Sequence, residues 1–269
     1  MEEEKRKVVL LTAVIVLVIG LAVAAYFLFF AGGPKPIPVT KPAETAAAKP
    51  EGVGSESIPI FPPTTLESSD DLIRKLAKEL STSPRLDAWL KSKDFVRKFT
   101  AAVDNIANGV SPAKQVDFFA PEGQFKVFKI GPAEYIDPAS YERYSLPTEV
   151  FISFVAKESI RFYKGLKPLF QDAYKELGYP NKDFDLTLKK AILELLEAPV
   201  VEGDVRLEKK VKSYGYADPK LEVLSDAQKN FLRMGPANVG AIQIKLREMA
   251  LALGVPAGQL PAPRVYRSK

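Results

Sequence analysis

The chain contains no cysteine, no histidine and only one tryptophan. Without cysteine there is no disulfide framework and no thiolate chemistry, and the redox compartment is unreadable. Without histidine the commonest general base and the commonest metal ligand are both missing. Together these absences exclude Ser-His-Asp and Cys-His catalytic sets and a conventional zinc centre. A Gly-rich phosphate loop and a cluster of acids spaced for a divalent cation are also lacking, so neither cofactor nor metal is expected. A dense basic stripe is the next absence. The net charge is +5, from 38 Lys and Arg against 33 Asp and Glu. Residues 1–64 carry six of each sign, and Arg264, Arg267 and Lys269 supply +3 at the C-terminus. The body between them is close to neutral, which argues against a nucleic-acid partner.

What is present is one long apolar run. Val8–Phe30 carries no charged residue and as a helix spans about 34 Å, enough for a hydrocarbon core of about 30 Å. It is longer than the apolar region of a secretory signal, and Phe29 would occupy the −3 position of a cut after Ala31, so an uncleaved signal-anchor is expected. Lys5, Arg6 and Lys7 abut it, whereas Lys35, Lys41 and Lys49 are dispersed beyond it. The positive-inside rule then puts residues 1–7 in the cytoplasm and the rest of this single-pass inner-membrane protein outside it. Gly20 and Ala24 form a small-xxx-small pair through which two copies could approach in the bilayer, although small residues are common in spans.

Residues 31–64 hold eight of the 22 prolines and four of the 16 glycines. Such a composition reads as a tether that holds a domain off the membrane, with polyproline II at its start. Ile58-Pro-Ile-Phe61 is apolar enough to dock on that domain.

Residues 65–254 show mainly helical periodicity. Ser69 and Asp94 are candidate caps, Pro84 opens a short helix, and Phe95, Val96, Phe99, Val103 and Ile106 recur at helical spacing before Gly109. Pro147 opens a long helix running through Phe162, a second runs from Lys167 to Gly178, and a third covers Asp183–Leu196. Ser225-Asp-Ala-Gln228 fits a capping box, Met234-Gly235 interrupts, and Pro236 restarts a helix towards Gly254. Phe125–Ile130 and Val205–Tyr216 read as strands that pair with each other. The expected architecture is therefore an N-terminal transmembrane helix, a Pro-rich tether, and a mainly α domain with a small antiparallel β element. Residues 255–269 read as a flexible basic tail.

Four stretches carry a family resemblance: Val103-Asp-Asn-Ile106, Asp137-Pro-Ala-Ser-Tyr-Glu-Arg-Tyr144, Leu169-Phe-Gln-Asp-Ala-Tyr-Lys-Glu-Leu-Gly-Tyr179, and Leu224-Ser-Asp-Ala-Gln-Lys-Asn-Phe-Leu-Arg-Met-Gly-Pro-Ala-Asn238. In these the chain resembles a bacterial family, domain-of-unknown-function family 3014. Members look alike in layout, with a span, a tether and then the domain. Where they typically read Gly-Pro-Glu-Asn this chain has Gly-Pro-Ala-Asn, which argues against an acidic role at Ala237. The resemblance implies an envelope location and carries no known activity.

Three sets of residues are candidates for chemistry. Glu158, in Lys157-Glu-Ser-Ile-Arg-Phe162, resembles the Glu-Ser motif of lytic transglycosylases, a class that needs only one carboxylic acid. Their downstream Gly-Leu-Met-Gln is absent, and the plainer reading is an i,i+3 pair with Arg161 on a solvated face. Tyr141, Arg143 and Tyr144 combine aromatic faces with a guanidinium and would suit a carboxylate or a sugar. Alternatively they form a structural corner, with Arg143 answering Asp104 or Asp137. Arg233 and Asn238 flank the Met234-Gly235-Pro236 break and either help a helix N-terminus hold an anion or cross-link two helices. The reading that follows is a membrane-anchored envelope binding or scaffold module that meets envelope proteins or peptidoglycan, with a glycan-cleaving enzyme centred on Glu158 as its rival.

Overall fold

The helical periodicity that begins near residue 65 becomes a series of mostly short helices. The computed structural model describes residues 57–115, 121, 123–211 and 213–268. The helices are α1 (Ser69–Leu80), α2 (Leu86–Trp89), α3 (Phe95–Ala107), α4 (Ala139–Glu142), α5 (Ser145–Ser153), α6 (Ala156–Gly165), α7 (Lys167–Glu176), α8 (Phe184–Leu196), α9 (Pro219–Glu222), α10 (Asp226–Leu232) and α11 (Pro236–Ala252). The strands are β1 (Val127–Ile130), β2 (Ala133–Ile136), β3 (Val200–Glu202), β4 (Arg206–Lys209), β5 (Tyr214–Tyr216) and β6 (Val265–Arg267). Among the described residues no helix is long and apolar enough to cross a membrane. The expected span Val8–Phe30, its Gly20/Ala24 pair and most of the tether lie outside the described residues.

The core forms where α3, α7 and α8 pack together and α11 closes over α5, α6, α8 and β3. Phe184 opens α8 and is fully buried. Its ring stacks on Phe170 at 6.0 Å and meets Tyr174 at 5.3 Å and Tyr163 at 6.4 Å. A second, smaller apolar cluster joins Leu86, Trp89 and Leu90 to Val150 of α5.

Caps and breaks explain the boundaries. Ser225 accepts from the Gln228 amide while the Gln228 side chain accepts from the Ser225 amide, so the expected capping box of α10 is present. At α3 the cap is supplied from elsewhere. The Asp70 carboxylate accepts from the Asp94 and Phe95 amides at 2.9 and 3.1 Å, joining α1 to the start of α3. Asp94 itself takes φ +58°, a left-handed conformation that short polar residues tolerate.

The long helix expected from Pro147 through Phe162 is two helices. Ser153 Oγ donates back to the Val150 carbonyl at 2.6 Å, competing with the backbone ladder. The Val155 amide then donates to the Leu80 carbonyl at 3.1 Å, so a tertiary partner replaces the helical one.

The sheet also departs from expectation. Its order is β1-β2-β4-β5, antiparallel throughout. Residues 205–216 turn back on themselves as the β4–β5 hairpin, and β1 pairs with β2, the strand on the far side of Gly131-Pro132. The expected direct pairing of 125–130 with 205–216 is therefore replaced by β2 lying between them.

The expected flexible tail is another correction. Val255 is buried, and β6 pairs in parallel with β3, Val200 opposite Val265 and Glu202 opposite Arg267. The Tyr266 hydroxyl donates to Asp218 and the Arg264 guanidinium to the Glu197 carbonyl. A three-residue strand is too short to show alternation; the open edge of β3 is what organises it. At the other end Phe61 docks as anticipated, edge-on to Phe162 at 5.8 Å. Gly165 makes room for it, since a Cβ there would lie 2.5 Å from the Pro59 carbonyl oxygen.

Candidate functional site

The turn after β2 starts with Asp137, whose Oδ1 accepts from the Ala139 amide at 2.9 Å, an Asx turn that leads into α4. Buried Ser140 then clamps the strand segment before β1, its Oγ accepting from the Lys126 amide at 2.7 Å and donating to the Lys126 carbonyl at 2.9 Å. This clamp brings Phe125 beside Arg143. The β4–β5 hairpin brings Tyr214 to within 6.1 Å of the Phe125 ring centre, and α10 delivers Arg233 from its C-terminal end.

Three of the five expected binding residues, Arg143, Tyr144 and Arg233, thus converge on one corner with Phe125. The Arg143 guanidinium lies 6.0 Å from the Phe125 ring centre and 5.5 Å from that of Tyr144. The Arg233 guanidinium lies 5.7 Å from the same Phe125 ring. Both arginines spend part of their donor set on backbone. Arg143 donates to the Ser140 carbonyl at 3.2 Å and the Gly123 carbonyl at 2.9 Å, and Arg233 donates to the Tyr214 carbonyl. Neither has an ion pair among the described residues, so two positive charges stand near one ring without a matching carboxylate. The anticipated pairing of Arg143 with Asp104 or Asp137 does not occur. Asp104 lies instead with Tyr174 and Tyr179.

Tyr141 and Asn238 are joint residues. The Asn238 amide donates to the Tyr141 carbonyl at 3.1 Å and to the Met234 carbonyl at 2.8 Å, locking α4 to the start of α11. Gly235 has φ +84°, and a Cβ there would lie 2.4 Å from the Tyr141 ring. The Met-Gly-Pro break is thus both a left-handed turn and a close approach, and glycine satisfies both demands. Burial, with Asp204 adding to it, pushes the Tyr141 hydroxyl up to about 12. Tyr216 is raised further by burial, and its hydroxyl donates to the Lys229 carbonyl at 3.0 Å. Both are packed hydroxyls that stay protonated at neutral pH.

Glu158 lies in the first turn of α6, apart from this corner. Its Oε2 is 2.7 Å from Arg161, and the two side chains are 38 and 36% exposed. A general acid is normally held protonated by burial or by a second carboxylate, and this geometry supplies neither. Among the described residues no group of three or more acids comes together that could hold a metal ion.

Phe125 and Tyr214, which complete the corner, were not singled out by the sequence. Phe125 was legible only as a strand residue, and its neighbours come from segments about 20 and 100 residues away in the chain. A family described as "Protein of unknown function (DUF3014)" matches residues 95–250, from the start of α3 to the last turns of α11. No curated protein and no solved structure matches the chain.

Proposed function

The chain belongs to the DUF3014 family, and on that premise we propose that its folded part is a non-catalytic binding or scaffold module of the cell envelope. In this reading residues 8–30 anchor it in the inner membrane with residues 1–7 in the cytoplasm. Residues 31–64 space the domain from the bilayer, and the domain engages an anionic envelope component. The observation that carries the reading is the pair Arg143 and Arg233 on Phe125, without a carboxylate partner among the described residues. Guanidinium groups beside an aromatic face pair well with carboxylates, because the fork geometry allows two parallel hydrogen bonds. Their fixed contacts to Gly123, Ser140 and Tyr214 hold them in place before a partner arrives, which lowers the entropic cost of binding. Peptidoglycan, with its carboxylate-bearing peptides, is the proposed anionic partner, and envelope proteins with acidic segments are the other class.

The test is co-sedimentation of the full chain with isolated peptidoglycan, wild type against Arg143→Ala/Arg233→Ala. Retention that falls about tenfold in the double variant supports the reading. Equal retention of both proteins, or no retention of either, ends it. The rival centred on Glu158 predicts release of soluble muropeptides that stops in Glu158→Gln. The proposed topology is checked by a reporter fused after Lys269, where activity characteristic of the cytoplasm would invert it.

A further inference from the structure

A second group of polar side chains meets where α3, α7 and α8 come together, and its Asp104, Tyr174 and Tyr179 lie in two of the stretches that carried the family resemblance. Asp104, Tyr174, Tyr179, Lys182, Thr187 and Lys190 line a cleft of about 200 Å³. Asp104 stands among neutral donors: Tyr174 Oη at 3.5 Å, Tyr179 Oη at 3.4 Å and Asn108 Nδ2 at 3.3 Å. All three are long for hydrogen bonds to a carboxylate, which are normally below about 3 Å. Tyr174 makes its short bond elsewhere, at 2.9 Å to Thr187 Oγ1. The carboxylate therefore keeps acceptor capacity that the protein does not fill, and it has no ion pair among the described residues.

The positive charges of the same cleft are also unmatched. Lys182 Nζ lies 4.4 Å from the centre of the Tyr179 ring, and Lys190 is exposed at the rim. Neither has an ion pair among the described residues. The cleft thus presents a negative group and positive groups, with a wall of two tyrosines whose ring centres are 4.7 Å apart. Ala107 and the exposed Leu186 add apolar surface.

We infer that this cleft binds an α-amino-acid zwitterion group, with its ammonium on Asp104 and its carboxylate towards Lys182 and Lys190. A free anion meets the Asp104 charge and a free cation meets the two lysines, so only a ligand of both signs neutralises each side. A neutral sugar satisfies Asp104 but leaves the lysines unmatched. The volume is below the roughly 300–1,000 Å³ of pockets for drug-sized ligands, which suits a short side chain. The Tyr174 hydroxyl serves as a neutral positioning group, since burial first and the nearby Asp104 charge hold it protonated.

Titration calorimetry on the full chain in mild detergent tests this with L-alanine, D-alanine and meso-diaminopimelate as zwitterions. Propylamine, propionate and glucose are the single-charge and neutral controls. Saturable binding of at least one zwitterion, with the controls about tenfold weaker or silent, is the expected result. Alanine alone points to a free amino acid, and diaminopimelate alone to a group presented on a longer chain; either supports the inference. Asp104→Asn should weaken binding about tenfold, and Lys190→Gln, at an exposed position that leaves the fold intact, about threefold. If Asp104→Asn fails to fold by circular dichroism, Lys190→Gln decides. No zwitterion binding, propylamine, propionate or glucose binding as well as alanine, or unchanged affinity in the folded variants overturns the assignment. Arg143→Ala/Arg233→Ala should leave this binding unaltered, so failure here and failure of the peptidoglycan reading are separable.

Discussion

Two phenylalanines centre two different kinds of construction. Phe184 is fully buried, and Phe170, Tyr174, Tyr163 and Phe99 all bring their rings within 6.4 Å of its own. The polar tips of that cluster point outward to fixed partners: Tyr163 donates to Asp185, and the Tyr174 hydroxyl shares a hydrogen bond with Thr187. Lys167 closes the arrangement with Nζ 2.6 Å from Asp185. Burial alone would raise Asp185, but the hydrogen bonds from Lys167 and Tyr163 together outweigh it and hold the carboxyl below its usual range. Phe125 is only half-buried, and among its ring neighbours are two guanidinium groups that have no carboxylate partner among the described residues. The same residue type closes a core in one place and lies against two guanidinium groups in the other. The first arrangement answers its charges within the fold, whereas in the second no carboxylate among the described residues answers the two guanidinium groups.

The largest effect is expected from Phe184→Ala. Removing a ring from the centre of the aromatic stack should cost about 3–5 kcal/mol, read from urea unfolding by far-ultraviolet circular dichroism. A cost below about 1 kcal/mol would mean that the stack is not the keystone it is taken to be.

Gly235→Ala is next. It forces φ +84° on an L-residue and drives a methyl group into the Tyr141 ring. A loss of about 2 kcal/mol is expected, together with weaker partner binding, because the joint that positions the corner shifts.

Alkaline titration sharpens the contrast further. Tyr141 is raised in the fold to about 12, while an unfolded tyrosine ionises near pH 10. Its contribution to stability is therefore complete below about pH 10 and is lost as the pH rises towards about 12, because the unfolded chain releases the proton first. Tyr141→Phe should flatten the fall of unfolding free energy with pH in that window. An unchanged slope would assign the alkaline transition to the core tyrosines alone.

The smallest effect is expected at Glu158. Glu158→Gln removes an exposed i,i+3 pair with Arg161 and should change stability by only a few tenths of a kcal/mol. A cost of several times that would mean the carboxylate has a role beyond this pair.

Much of the helical content was legible because it rests on local signals. The Ser225–Gln228 capping box, Pro236 at the first turn of α11 and the apolar spacing of α3, α7 and α8 each act within one or two turns. Failures fell where a distant group supplied the bond. Asp70 caps α3 from the preceding helix, Leu80 ends α5 by capturing the Val155 amide, and β3 organises the last strand. The candidate residues Tyr141, Arg143, Tyr144, Arg233 and Asn238 were found by type and motif, but their division into joint and charged face needed coordinates. The cleft around Asp104 was invisible as a site, because its side chains are scattered among helices whose periodicity reads as ordinary packing.

By itself, the sequence determined what chemistry is excluded, for the absence of histidine and cysteine holds in any fold. It also determined the helical class and the family, since periodicity and motif are properties of the chain alone. Only the tertiary structure decided which charges are matched. A lysine or arginine is written the same way whether its partner is a carboxylate, as for Lys167, or a ring and a carbonyl, as for Arg233. Charge matching depends on distances of a few ångströms between segments far apart in the chain, and those distances exist only after folding.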